Sequence, residues 1–232
     1  MKALQLEING NWGHFRKPET NNNPLSHDFL TKTALLGIIG AVLGIERTEM
    51  KMYFPILSED LKYSVQIKET VQKQSWGFTL RSVNNLMEKA PKQMEFIRNP
   101  SYLVTIGLEN SRSEDIFNRF CKSIKNSEAC FTPVLGLHNC PAELIYIQEG
   151  ELSMKEVGEF ETFGFISTKH KIIPNFKNGF RIGFDKIPTF QNNDFWNLPD
   201  RYVQVMYPSN QNSLKATGLH YILNGQSTWV MI

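Results

Sequence analysis

Apolar and polar residues change their spacing twice within the first 45 positions of the chain. Residues 4–8 alternate between aliphatic and polar side chains, which is typical of a half-buried strand. From residue 33 to 43 the aliphatic residues recur at helical spacing, so we predict a helix over 33–43. Either Thr31 or Thr33 can cap its start, and Gly44 suits a left-handed end. A strand and a helix therefore lie on either side of a polar loop.

Further elements follow the same rules. Residues 102–108 form a mostly apolar run that predicts a buried strand, and residues 142–147 predict another. Between them, Ser113 precedes two acidic residues and an apolar stripe, as at a helix N-terminus. Residues 62–85 are strand-like but polar, which favours an extended hairpin that projects from the body.

The order of these elements is β-α-β-β-α-β. We therefore predict an α+β fold of the ferredoxin-like (RRM-like) type over residues 1–150, with the projecting hairpin around 62–85. After residue 150, short strand-like pieces alternate with Pro, Asn and Gly turns, so residues 151–232 are expected to form a small β-rich C-terminal extension. Within the first helix, Gly37 and Gly40 are expected to permit close approach to the sheet.

Composition limits the classes of protein to which the chain can belong, but it does not select one of them. A net charge of +2 is only mildly basic, so any nucleic-acid site must be a local patch. The apolar run at 34–45 is too short to span a bilayer, which takes roughly 20 residues, and we expect a cytoplasmic protein with no membrane contact. Cys121, Cys130 and Cys140 lack paired spacing, so we expect neither a metal site nor a cofactor.

The most informative segment is the loop that precedes the first helix. His14, Phe15, Arg16 and Lys17 place rings beside cations, and this combination suits splayed bases and phosphates of single-stranded RNA. The opposing interpretation is a solvated loop with Phe15 tucked into the core. At the helix start, unpaired N–H groups and Lys32 favour an anion, although simple capping explains the threonines equally well.

These motifs resemble those of a known family. The run HFRKPET at 14–20, followed by the glycine-containing helix at 31–45, resembles the signature of the CRISPR-associated RAMP proteins of the fifth Cas family, and PVLG at 133–136 is a looser match. The resemblance implies a non-catalytic subunit of a type I Cascade complex that caps the 5′ handle of the CRISPR RNA. It also implies docking to the large subunit and to the backbone subunit. Target DNA would be read only indirectly, by pairing with the guide.

In that family an extended hairpin, the thumb, reaches over the guide RNA, and we expect the 62–85 hairpin to do so here. The expected RNA-binding residues therefore combine the loop, the helix start and the thumb, and they are His14, Phe15, Arg16, Lys17, Thr20, Lys32, Thr33, Lys68, Lys73, Trp76 and Arg81. The tight cluster Lys169-His170-Lys171 is interpreted as a solvated turn.

Two alternatives stay open. Some relatives cut precursor RNA without metal, which requires a base, an acid and a cation to stabilise the phosphorane. Candidates for these roles are His14, His27, Tyr53, Tyr63 and Lys73. We expect binding without cleavage, because no Lys-His pair stands where the cutting relatives carry theirs. The other alternative is a ferredoxin-like interaction domain with no RNA role.

Overall fold

The computed structural model describes residues 1–20, 22–81, 89–174, 181–190, 199–209 and 211–232, and within them it is a mixed α/β protein built on antiparallel sheets. The helices are α1 (Lys32–Leu43), α2 (Arg47–Asp60) and α3 (Glu114–Lys125), with a 3-10 turn at Ser111–Ser113. The strands are β1 (Lys2–Asn9), β2 (Trp12–Gly13), β3 (Leu61–Ile67), β4 (Gln72–Arg81), β5 (Lys89–Arg98), β6 (Ser101–Leu108), β7 (Glu143–Lys155), β8 (Glu159–Thr162), β9 (Ile166–Ser167), β10 (Lys171–Ile172), β11 (Ile182–Phe190), β12 (Arg201–Pro208), β13 (Leu214–Thr217), β14 (His220–Leu223) and β15 (Ser227–Trp229).

The main sheet has six strands in the order β15-β14-β7-β1-β6-β3, and every neighbouring pair is antiparallel. Leu4, Leu6 and Ile8 of β1 are fully buried, and they share one core cluster with the apolar faces of α1 and α3. The predicted strand at the start of the chain and the predicted strands at 102–108 and 142–147 are confirmed. Burial of one face of β1 is what its alternating pattern requires.

The first helix begins and ends as its sequence indicates. The hydroxyl of Thr31 accepts a hydrogen bond from the backbone N–H of Ala34 at 3.3 Å, and Gly44 closes the helix at φ 71°. Ser113, by contrast, precedes α3 without capping it, because its hydroxyl donates instead to the carboxylate of Asp60 at 2.5 Å.

The prediction that Gly37 and Gly40 permit close approach of α1 to the sheet is wrong. A Cβ on Gly40 would meet the Sδ atom of Met50 at 2.8 Å, so this glycine permits close approach to α2 and not to the sheet. A Cβ on Gly37 would have no neighbour within 4 Å. Helical periodicity reveals which face of α1 is apolar, but it does not reveal which element covers that face.

The position expected for the hairpin is also wrong. Residues 61–67 form β3, the edge of the main sheet, and the long hairpin consists of β4 and β5, paired from Gln72↔Arg98 to Arg81↔Lys89. Its turn and the side chain of Arg81 lie outside the described residues. The polar residues of β3 led us to place the start of the hairpin too early in the sequence. An antiparallel strand tolerates such residues on a face that is not fully buried.

The expected domain boundary at residue 150 falls inside β7, and β14 and β15 continue the same main sheet. Residues beyond 150 therefore do not separate from the body at that point. Two three-stranded sheets, β10-β13-β8 and β11-β12-β9, complete the β-rich C-terminal part. No helix in the described residues is long and apolar enough to cross a membrane.

Candidate nucleic-acid interface

The loop between β2 and α1 is held at both of its ends by backbone hydrogen bonds. The N–H of His14 donates to the carbonyl of Leu135 at 2.9 Å, and the N–H of His27 donates to the carbonyl of Phe15 at 2.8 Å. Further out, the N–H of Lys17 donates to the carbonyl of Leu25 at 2.8 Å. The loop is thus a shaped surface feature without regular secondary structure.

The 133–136 segment packs directly on this loop. Leu135 is fully buried, and Gly136 adopts φ 88°. A Cβ on Gly136 would lie 1.9 Å from the carbonyl oxygen of His14, which no side chain can do. Two sequence motifs more than 100 residues apart therefore meet in one place, and a glycine is required at their contact.

His14 and Phe15 do not offer the stacking surfaces expected of them. Each is only 3% exposed. The Nδ1 atom of His14 lies 2.7 Å from the carbonyl of Glu95, and burial lowers the pKa of its imidazole. Phe15 belongs to the main core, where its ring packs beside that of Tyr102 with 6.2 Å between the ring centroids. For Phe15 the opposing interpretation, a ring tucked into the core, is correct.

Arg16, Lys17 and Thr20 lie on the outer part of the loop. Arg16 is exposed, and its guanidinium reaches the carbonyl of Thr20 at 3.4 Å. The hydroxyl of Thr20 donates to the carbonyl of Lys17 at 2.8 Å and accepts from the N–H of Leu25 at 3.0 Å, so its visible role is to hold the turn. Of these three side chains, that of Arg16 is the one the fold leaves best placed for a phosphate.

Asp185 of β11 is a partner of the loop that the sequence did not indicate. Its carboxylate accepts from Lys17 at 3.3 Å and contacts Nδ1 of the fully buried His27 at 2.9 Å. Burial raises the pKa of Asp185, but the hydrogen bond from His27 and the charge of Lys17 outweigh it and leave that pKa below its usual value. Binding of RNA by Lys17 would have to compete with this ion pair.

The thumb cations are also paired within the chain. The ammonium of Lys73 contacts Asp28 at 2.7 Å, Glu95 at 3.0 Å and the carbonyl of Ser26 at 2.7 Å. Burial alone would lower the pKa of Lys73. The hydrogen bonds to the carboxylates of Asp28 and Glu95 have the larger effect together, so the pKa of Lys73 lies above its ordinary value. Lys73 therefore fastens the hairpin to the loop.

Lys68 and Trp76 complete the expected thumb set. Lys68 forms an ion pair with Glu7 of β1. Trp76 packs against Trp12 at 4.5 Å and against Phe96 at 4.8 Å between ring centroids, in an aromatic cluster at the base of the hairpin. Its ring is only partly exposed and serves first as an anchor of the hairpin.

Lys32 and Thr33 stand apart from the loop cations. Lys32 is 5% exposed, and its ammonium donates to the carbonyl of Ser58 at 2.8 Å. Burial and the nearby charge of Lys62 lower the pKa of Lys32 to about 8. Thr33 lies beside a mainly apolar cavity between α1 and α2, away from the side chain of Lys32. The helix start therefore does not join the loop in one continuous cationic surface.

A ring-and-cation surface that the sequence analysis missed lies on the hairpin of β11 and β12. Phe184 is 68% exposed, and the ammonium of Lys186 sits 5.0 Å from the ring centroid of Tyr202 on the same outer face. The alternation of side chains along the strand at 182–190 could have indicated that Phe184 and Lys186 share one face. An exposed ring and a partly exposed ring beside a cation are suited to stacking with splayed bases.

Three of the residues considered for RNA cutting, His14, His27 and Tyr63, are buried. His27 and Tyr63 are both fully buried, and the hydroxyl of Tyr63 donates to the carbonyl of Leu30 at 3.4 Å. Burial raises the pKa of Tyr63. Tyr53 is partly buried against the main core. Within the described residues, no group of three or more His, Cys, Asp or Glu side chains is placed to hold a metal ion.

The comparison with protein families decides what kind of protein carries this loop. The family model described as CRISPR-associated protein (Cas_Cas5) matches residues 3–194, which is most of the chain. The chain belongs to the Cas5 family. The match includes the loop, α1, the hairpin and the 133–136 segment, so the resemblance expected from the motifs is confirmed. No curated protein matches the sequence.

Solved structures support the same fold. A CRISPR protein from Archaeoglobus fulgidus is similar over 98% of both chains, with a TM-score of 0.61 and 12% identity. A chain of a CRISPR RNA-guided surveillance complex is similar over 89% of both chains, with a TM-score of 0.54 and 10% identity. A chain of the type III-B Cmr-beta complex bound to cognate target RNA covers 92% of this Cas5 chain and 86% of its own, at a TM-score of 0.50 and 9% identity.

Proposed function

We propose that this Cas5 protein is a non-catalytic CRISPR RNA-binding subunit of a type I Cascade complex and that it caps the 5′ handle of the guide. The observation that carries the proposal is the anchored loop at 14–27, which displays Arg16 and is locked against Gly136 by a contact only glycine allows. Such a pre-shaped loop reduces the ordering cost of binding a flexible RNA strand. Family membership supports a role in CRISPR defence.

Handle bases would be recognised by stacking on exposed rings and by contacts to their edges, and affinity would come from phosphate neutralisation. With His14 and Phe15 buried, we assign stacking to the exposed ring of Phe184 and to the partly exposed rings of Tyr202 and Trp76. Arg16 of the loop and Lys186 of β11 are exposed cations that would neutralise phosphates. Lys17 and Lys73 would contribute only by exchanging their carboxylate partners for phosphate.

We also propose a ferredoxin-like βαββαβ body, a cytoplasmic location, and docking to the large subunit and the adjoining backbone subunit. The order β7-β1-β6-β3 in the main sheet supports the first point, since helices fall between β1 and β3 and between β6 and β7. The similarity to a chain of a surveillance complex favours assembly with other subunits. Target DNA would then meet this protein only through the complex.

One assay tests the proposal directly. Purified protein is incubated with labelled repeat RNA in EDTA, and the RNA is examined by denaturing gel while binding is measured by filter retention. We expect binding and intact RNA. Cleavage would replace the proposal with a metal-independent endoribonuclease, and absence of binding at low salt would leave an interaction domain without an RNA role.

A further inference from the structure

A second cavity, of about 600 Å³, has none of the loop residues 14–27 in its lining. The start of α1, the end of α2, the far ends of β11 and β12 and the last residues of the chain enclose it. Its volume falls within the range of small-molecule sites. Three cationic side chains line it, those of Lys32, Lys169 and Arg201, against one carboxylate, that of Glu59.

The cavity contains buried polar groups that the fold does not fully use. Lys32 is 5% exposed, and the fold gives its ammonium, which has three N–H donors, a hydrogen bond to the carbonyl of Ser58. The hydroxyl of Ser58 is itself buried at 6% residue exposure and has no hydrogen-bond partner. Burying a cation and an unsatisfied hydroxyl together is costly, which is typical of a site kept for a ligand.

The rim of the cavity is positive and its wall is apolar. Arg201 is an exposed residue whose guanidinium stacks 4.3 Å from the ring centroid of Phe190 and approaches Glu59 only to 3.7 Å. An exposed ion pair of this length contributes little, so Arg201 can turn to an anion at small cost. Val203 and Leu219 add apolar surface that a simple inorganic ion would not contact.

We propose that this cavity binds a nucleotide. Lys32, Lys169 and Arg201 would hold the phosphate, and the base would lie against Phe190 and Leu219. The proposal goes beyond handle capping. For a free nucleotide it does not depend on that function, and for a nucleotide of a bound RNA strand it rests on the proposed RNA binding.

Two sources share the chemistry of a nucleotide. It can be a free mononucleotide, or it can be one residue of a bound RNA strand. Asp185, which forms an ion pair with Lys17 of the loop, and Thr189, which lines the cavity, both belong to β11. Four residues of strand separate them by about 13 Å, a distance that a few nucleotides of extended RNA can span.

The test is a calorimetric titration of the full chain with adenosine 5′-monophosphate, adenosine and inorganic phosphate. We expect saturable binding of the monophosphate, with the other two probes weaker by about tenfold or more, because each makes only half of the contacts. Arg201→Ala and Lys169→Ala change exposed residues and should not impair folding, and each should weaken monophosphate binding. Lys32→Met should weaken it most, and Lys122→Ala, on the outer surface of α3, should not change it.

A second arm identifies the source. Monophosphate binding is repeated with the protein saturated by repeat RNA, where loss of binding assigns the cavity to an RNA nucleotide and unchanged binding assigns it to a free one. The proposal is overturned if the monophosphate does not bind at millimolar concentration, if phosphate alone binds as tightly, or if the three cavity variants bind like wild type. A protein that fails to bind repeat RNA would still report on the cavity through the first arm.

Discussion

Gly136→Ala is the most direct test of how the loop is held. The substitution places a methyl group 1.9 Å from the carbonyl oxygen of His14, where Cβ atoms do not approach closer than about 3.0 Å. The atom that the methyl group would meet is a backbone oxygen, so relief of the clash requires the 133–136 segment to move away from the loop. Gly136 also has φ 88°, a conformation that an L residue adopts at a cost of about 1–2 kcal/mol.

The expected loss of stability combines three contributions. Overpacking adds about 1–3 kcal/mol, and the movement breaks the hydrogen bond between the N–H of His14 and the carbonyl of Leu135, which contributes about 1 kcal/mol. With the backbone cost, we expect a decrease of roughly 3–6 kcal/mol in the free energy of unfolding. That is a large fraction of the 5–15 kcal/mol typical of a folded protein.

Urea denaturation followed by far-UV circular dichroism measures this change as a lower midpoint with an unchanged slope. Gly37→Ala is the matched control, because its Cβ meets nothing within 4 Å in the middle of a helix, and it should stabilise the protein by about 1 kcal/mol. A Gly136→Ala midpoint equal to that of wild type would refute the inferred contact between loop and glycine.

Three further predictions follow from the described contacts. The Arg16→Ala, Lys17→Ala double variant should fold normally and bind repeat RNA with a salt slope lower by about 0.7 for each lost phosphate contact; an unchanged slope would remove the loop from the site. Gly40→Leu should cost roughly 1–3 kcal/mol of stability by displacing Met50, and adding Met50→Ala should recover part of that loss, whereas a wild-type melting temperature would contradict the packing of α1 on α2. Lys32→Met should stabilise the protein at pH 7 by about 2 kcal/mol, because burial lowers the pKa of Lys32 to about 8 in the folded chain. The stability of the wild-type protein should rise relative to that of the variant between pH 8 and 10.5. Parallel pH profiles of the two proteins would count against the burial of this charge.

The sign of the last prediction depends on which state binds more protons. The unfolded chain keeps the pKa of Lys32 near 10.5, so between pH 8 and 10.5 it carries more protons than the folded chain. Raising the pH therefore favours folding of the wild-type protein across that interval. The variant has no titrating group at this position and should not show that rise.

Local pattern was sufficient for the elements that depend on neighbours in sequence. Strand β1 and helix α1 with its Thr31 cap and Gly44 end were all predictable, because alternation, helical spacing and capping act within a few residues. The family signature at 14–20 and 31–45 was equally visible, and the match over residues 3–194 confirms it.

Tertiary structure decided which of the candidate side chains face solvent and which partners they have. His14 and Phe15 are buried because β5 and the 133–136 segment cover them, and Lys17 meets Asp185 across a separation of 168 residues. The cavity around Lys32 likewise joins α1 to strands near the end of the chain. Such contacts depend on how the sheets close over one another, so a linear pattern that specifies the type of each residue cannot specify them.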